Sequence, residues 1–266
     1  MEELLKVEKE KTWDLIRELV KDMSEFDTFL YTNDFHNLKA AIKQVYTDTH
    51  QKDVFIEQGT IDKNLILKSV KEHNFNLLPE YIRSCAEEAY QLILHTGDSQ
   101  LCEVMIDKAA LEAMLQKSRE SGVKLLMNYA ELKVAVADIN IAIRSCKTRK
   151  SKEFLDRALA QCNSIDVKKL ASAAGSSLEA IYEYLQFTDY ADAIDAIRNS
   201  SSAFERWSDN VIMENIRPQK YNPFTISPIA AYILARENEI KMVRILLSGK
   251  RNDLADNLIR EKMRVS

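Results

Sequence analysis

Asp189, Asp192 and Asp195 form a DxxDxxD run, and carboxylates three residues apart on one helix face can share a divalent cation. On that reading the chain is an all-α, metal-dependent enzyme. A single helix supplies no second wall of ligands, and a solvated acidic face near a helix N-terminus explains the same residues through the macrodipole. The other residue types that do chemistry are scattered. The four cysteines, Cys85, Cys102, Cys146 and Cys162, contain no CxxC pair, so they read as reduced thiols, mostly buried. There is no HExxH motif, and no Glu lies three residues before any of the four histidines. Gly249-Lys250 imitates the end of a phosphate-binding loop, but the residue five before Gly249 is Arg244. His36, among Asp34, Asn37 and Lys39, reads as a hydrogen-bonded structural histidine. No catalytic constellation assembles, and neither a cofactor nor a metal is implied beyond the acidic run.

Two charged clusters fit binding better than catalysis. Arg144, Lys147, Arg149, Lys150 and Lys152 place five cations in nine residues, more than a helix C-terminus needs. They suit an acidic partner or lipid headgroups. Arg236, Glu237, Glu239 and Lys241 crowd the middle of the last long helix. Glu237 and Lys241 are a well-oriented i,i+4 pair. Arg236 interrupts an apolar seam, so it must be paired, snorkel or face a partner.

The elements that carry these residues are helices. The 266 residues include only 5 Gly and 4 Pro, where average usage of about 7% and 5% gives roughly 32. That deficit removes the punctuation of hairpins and glycine-rich phosphate loops. Hydrophobic content of 46% is enough for a core, and a net charge of −4 argues against a general nucleic-acid binder. The longest apolar run, Ile229 to Ala235, is far short of a membrane span. No signal peptide is visible, and the N-terminus is charged and helical in pattern. Apolar spacing predicts helices over 1–21, 35–45 (capped by Asn33-Asp34), from about 63, from Pro79 to about 95, and over 99–120 and 123–146. Thr47 to Asp53 reads as a polar loop, and Gly59-Thr60-Ile61-Asp62 opens the helix near Lys63. Ser176/Glu179 and Ser202/Glu205 read as capping boxes, and Ile216 to Phe224 as an irregular loop. The final helix has Ser227 as N-cap, Pro228 at N1 and Gly249 at C′. No segment alternates with period 2, so the chain reads as all-α.

Asp34-Phe-His-Asn37-Leu-Lys39 recurs loosely as Asp138-Ile-Asn140-Ile141 and as Glu237-Asn-Glu239-Ile240-Lys241. Each is followed by a cation, Lys43, Arg144 or Arg244, and the separations are near 100 residues. Tandem helical modules explain that spacing, and a generic helical-repeat scaffold is the bland form of the same reading.

The run Pro228–Lys250 resembles the C subunit of the V-type (A/V-type) rotary ATPase, known in eukaryotes as the d subunit, whose members carry a very similar stretch. Asp34-Phe-His-Asn37-Leu-Lys39 is similar to the family's Asp-x-His-Asn-Leu-Lys. Gly59-Thr60-Ile61 falls at a similar turn, and Asp138-Ile-Asn140-Ile141 resembles its Asp-x-x-Asn-Ile, offset by one. The resemblance implies three similar helical modules around a pseudo-threefold axis, here 1–54, 55–150 and 151–266. Family members usually carry a further N-terminal portion, so it implies that the first module is incomplete. It also implies a non-catalytic cytoplasmic role, peripheral to the membrane, between the central shaft and the membrane rotor ring during ATP-driven ion transport. Asn37, Lys39, Asn140, Arg144, Arg236, Glu237, Glu239 and Lys241 are then the expected partner-facing residues.

Overall fold

A computed structural model describes residues 2–49 and 54–264. Among them are thirteen α-helices and no strand. They are α1 (Glu2–Leu19), α2 (Asp27–Thr47), α3 (Lys63–Lys71), α4 (Glu80–Thr96), α5 (Ser99–Ser121), α6 (Lys124–Thr148), α7 (Lys152–Ala158), α8 (Val167–Ser176), α9 (Leu178–Leu185), α10 (Ile194–Asn199), α11 (Ser201–Ile216), α12 (Ser227–Arg251) and α13 (Asp256–Lys262). The all-α expectation holds. Of the predicted loop 47–53, residues 50–53 lie outside the described residues, as does Met1 at the start of the first predicted helix.

The helices fall into two compact units. The larger comprises Phe26–Gly122 and Ala130–Tyr184. Here α2 packs on α3, α4 and α5, and α7 bridges α5 and α8. Its core is built by helical spacing. Ile82, Ala86, Ala89 and Ile93 of α4 face Phe35, Leu38, Ala41 and Ile42 of α2, with Ile66 and Val70 of α3 and Ile106 of α5. Full burial of each Leu or Ile contributes about 1.5–3 kcal/mol. Capping side chains set the helix starts: Asp62 accepts from the Asn64 N–H at 2.7 Å, Asp98 from Leu101 at 2.9 Å, and Asp166 from Lys168 and Lys169. Gly97 and Gly122, at φ 65° and 64°, end α4 and α5 in the left-handed conformation that glycine adopts without strain.

The smaller unit comprises Met1–Glu25, Val123–Tyr129 and Leu185–Ser266. Within it α1 lies on α12, and α11 packs on α10, α12 and α13. Trp13 and Ile16 of α1 are buried, as is Phe204 of α11, which stacks on Trp207 with centroids 5.8 Å apart. Both tryptophans of the chain belong to this unit.

Several local expectations are corrected. Asn33-Asp34 does not cap a helix. α2 runs unbroken from Asp27, because the Asp34 carboxylate is spent on a distant loop rather than on its own backbone. The caps near 176 and 202 belong to Ser177 and Ser200, whose Oγ atoms accept from Ala180 and Ala203 at 3.1 and 3.0 Å. Ser227 is the first residue of α12 and not its N-cap. Gly249 is no C′ residue either, because α12 continues to Arg251. A Cβ at Gly249 would stand 2.7 Å from Ile259 Cγ1, so the glycine is there to let α13 approach. The loop expected at 216–224 begins with a 3₁₀ turn over Arg217–Tyr221.

Candidate functional site

The motif around Asp34 forms a latch inside the larger unit. Asp34 is fully buried on α2. Its Oδ1 accepts from the Thr60 N–H at 2.9 Å and the Ile61 N–H at 3.2 Å. Its Oδ2 accepts from the Thr60 hydroxyl at 2.7 Å and the Tyr81 hydroxyl at 2.8 Å. Three residues on, Asn37 reads both backbone polar groups of Ile56, donating from Nδ2 to the carbonyl at 2.9 Å and accepting from the N–H at 2.8 Å. Asn33 donates to the Gln58 carbonyl at 2.6 Å, and His36 Nε2 meets the Val54 carbonyl at 2.9 Å. The 33, 34, 36, 37 spacing puts these four side chains along one side of the helix. Together they replace the missing secondary structure of residues 54–61, whose backbone groups need partners once buried. Gly59 is required here, since any Cβ would collide with Asp34 Oδ1. Burial holds the Asp34 carboxyl above its ordinary range against the pull of its hydrogen bonds to Thr60, Tyr81 and Ile61.

A second latch repeats the first at an offset of 104 positions (34 to 138, 62 to 166). Asp138, fully buried on α6, accepts from the Ala160 N–H at 3.0 Å. Glu131, two helical turns earlier, accepts from the Asn163 and Ser164 N–H groups at 2.5 and 2.7 Å. Asp166 then caps α8 as Asp62 caps α3. The tetrapeptides Gly59-Thr-Ile-Asp62 and Asn163-Ser-Ile-Asp166 were the available signal for this pairing, and they lie outside the repeat read from the sequence. The two carboxylates differ in satisfaction. Asp34 has four donors, whereas Asp138 Oδ2 has no hydrogen-bond partner. Burial therefore pushes the Asp138 carboxyl up to about 7, opposed by the Ala160 N–H and Lys108 and reinforced by Glu112.

In the smaller unit the charges on α12 are tied to neighbouring helices. Arg236 Nη2 donates to Glu8 Oε2 on α1 at 3.0 Å, Nη1 pairs with Glu239, and Nε meets Thr12 Oγ1 at 3.4 Å. Lys11 and Arg236 hold the Glu8 carboxyl below its usual range. Lys241 donates to Glu205 at 2.7 Å and Asp209 at 2.6 Å on α11. Asp209 also accepts from Arg264 Nε at 2.7 Å, and Arg264 is buried. Asp209 and Arg264 carried no sequence motif, and Glu205 was read only as half of a capping box. Only long-range packing brings them to Lys241.

The eight expected partner-facing residues thus divide. Asn37 is fully buried and spent on its own chain, and Lys39 donates to Asp107 at 2.6 Å. Arg144 and Glu239 are exposed, and Asn140, Arg236, Glu237 and Lys241 are half-buried. Asp189, Asp192 and Asp195 do not share a helix face. Asp189 lies in a turn, Asp192 in a 3₁₀ turn and Asp195 in the six-residue α10. Among the described residues no group of three or more His, Cys, Asp or Glu is placed to hold a metal ion. The four cysteines are free thiols, with Cys85 and Cys102 buried and Cys146 and Cys162 half-buried.

The fold is thus all-helical, and its buried acids and amides clamp loops of the same chain. A family model described as ATP synthase (C/AC39) subunit matches residues 1–262, and the chain belongs to that family. The C subunit of the V-type sodium ATPase of Enterococcus hirae is 21% identical over 241 residues, covering 89% of this chain and 73% of that protein. The C subunit of the A-type ATP synthase of Halorubrum lacusprofundi is 24% identical over 252 residues, covering 88% and 72%. Its counterpart in Methanosarcina acetivorans is 27% identical over 197 residues, covering 69% and 54%. Among the described residues no helix is long and apolar enough to cross a membrane.

Proposed function

We propose that the chain is a non-catalytic rotor component of a V/A-type ATPase or ATP synthase. It seats the tip of the central shaft, rests on the cytoplasmic side of the membrane rotor ring and carries torque between them. The observation that carries this reading is the family match over residues 1–262. Physical chemistry supports it in two ways. A torque coupling must be stiff, and close-packed helices resist deformation. Loops between helices are the compliant part of such a body, and the latches of Asp34, Asn37, Asp138 and Glu131 fix two of them with buried and half-buried hydrogen bonds.

Three similar modules (1–54, 55–150, 151–266) belong to the proposal, and so does a partner-facing role for those of the eight residues that are not buried in their own chain. Exposure favours Arg144 and Glu239 for direct contact, with Glu237 and Lys241 half-buried. Asn37 and Lys39 contribute through the body that presents them. Co-purification with the shaft proteins tests the reading, with a chain lacking α12 and α13 as the control. Stoichiometric co-elution of the intact chain is expected, weakened about tenfold by Glu239→Lys if that contact matters by about 1.4 kcal/mol. An intact, folded chain that never associates with shaft or ring would overturn it.

A further inference from the structure

The two latches of the larger unit hold their loops with different security. Asp34 takes four donors, and both of its oxygens are engaged. Asp138 is as deeply buried, yet one oxygen alone is engaged, by the Ala160 N–H at 3.0 Å. The segment it holds lies between α7 and α8 and contains no helix. Leu159 and Ile165, both 2% exposed, anchor its ends. Between them Gln161 and Asn163 are exposed, and Cys162 and Ser164 are half-buried. Two side chains of α6 hold this stretch of backbone: Asp138 at Ala160, and Glu131 at Asn163 and Ser164.

The charged groups around Asp138 do not complete its shell. On α5, Lys108 attracts the carboxylate but donates to the Asp156 carbonyl at 3.3 Å and lies 4.0 Å from Glu112, which repels it. On the loop, burial and then Glu131 push the Cys162 thiol up to about 11, so it stays neutral and supplies no countercharge. On α6, Glu131 faces the same loop, with Arg119 at 3.8 Å. A single hydrogen bond offsets only part of the cost of burying a carboxylate. The protonated form therefore suits the closed loop, and the ionised form suits a loop that admits water.

We propose that Asp138 is the trigger of a pH-operated clasp on the segment Ala160–Ser164, closed while the carboxyl keeps its proton and released once that proton passes to water. The opening is local, because Leu159 and Ile165 bracket it and the N–H groups of residues 160, 163 and 164 tie it to α6. The Asp34 latch shares the plan and resists release, since its four donors favour the ionised form. Direction follows from linkage. The Asp138 carboxyl titrates at about 7 in the closed fold against 3.8 ordinarily, so closure is firmest at acid pH and weakens as pH rises through 7.

The test is amide hydrogen exchange of the full chain at pH 6 and pH 8, corrected for intrinsic pH dependence. Protection of the Ala160, Asn163 and Ser164 N–H groups should fall about tenfold over that interval, given carboxyl values of 3.8 when open and about 7 when closed. Low urea should leave their exchange unchanged, because a local opening exposes little surface, while buried Ile82 and Ile93 of α4 respond to it. Protection at Thr60 and Ile61 should fall less. Asp138→Asn keeps an acceptor for the Ala160 N–H and cannot ionise, so protection at Ala160 should not change with pH. Should that variant fail to fold, the comparison between the two loops of the parent chain decides. An equal fall at both loops, no fall at Ala160, or a urea response at Ala160 matching that of α4 would each overturn the proposal. The assay needs no shaft or ring, so its failure leaves the coupling role standing.

Discussion

Asp34 and Asp138 do the same work with different completeness, and their chemistry under titration follows from that. Asp138 has an ordinary carboxyl value near 3.8 when unfolded and about 7 in the fold. The native state therefore binds the proton more tightly, and the stability it confers is full below about pH 4 and lost as pH rises through 7. Asp138→Asn keeps an acceptor for the Ala160 N–H and removes the ionisation. Chemical denaturation at pH 5 and pH 8 should show the parent losing on the order of 2–4 kcal/mol more than the variant across that interval. An identical pH slope would show that Asp138 stays ionised. At the first latch, Asp34→Ala strands the Thr60 and Ile61 N–H groups and should cost about 2–4 kcal/mol in the same assay. The sequence picked out Asp34 and Asn37 as residues of note. It read Asp34 as part of a helix cap and Asn37 as facing a partner, whereas both turn inward, because helical spacing states which face a side chain is on and not which loop returns to cover it.

At the level of elements, α12 and α13 show where local rules mislead. Gly249 followed by Lys250 looks like a helix stop, and a glycine at C′ is the common reason for one. Here the glycine is a seat for Ile259. Gly249→Ala should release α13 at a cost of about 1–3 kcal/mol, seen as faster amide exchange over 256–262. Gly249→Ala/Ile259→Ala should recover part of that protection. Arg264 secures the far side of the same helix through Asp209, and Arg264→Ala leaves a mostly buried carboxylate facing Lys241 alone. Thermal unfolding should record a loss of about 3 kcal/mol or more. Helix existence was legible from the scarcity of Gly and Pro and from the apolar seams. Cap positions slipped by one or two residues at Ser177 and Ser200, where neighbouring serines offer equivalent hydroxyls. The short helices α7 and α8 are too brief, at 7 and 10 residues, to show a sustained apolar period.

For the whole molecule, the all-helical class was readable from composition, and the family from a few short runs of residues. The grouping of helices was not. Each compact unit gathers separate stretches of chain, and the division falls inside α6 and at the end of α9. Such assembly depends on contacts between residues far apart in sequence, about which local periodicity is silent.

Trp13 and Trp207, the two indoles of the chain, both reside in the smaller unit. Light absorbed at the red edge of the protein band will therefore be emitted almost wholly from that unit, while the larger one, with its tyrosines and phenylalanines, stays dark. Comparing indole emission with far-ultraviolet circular dichroism during denaturation then gives a label-free measure of whether the two units melt together or one at a time.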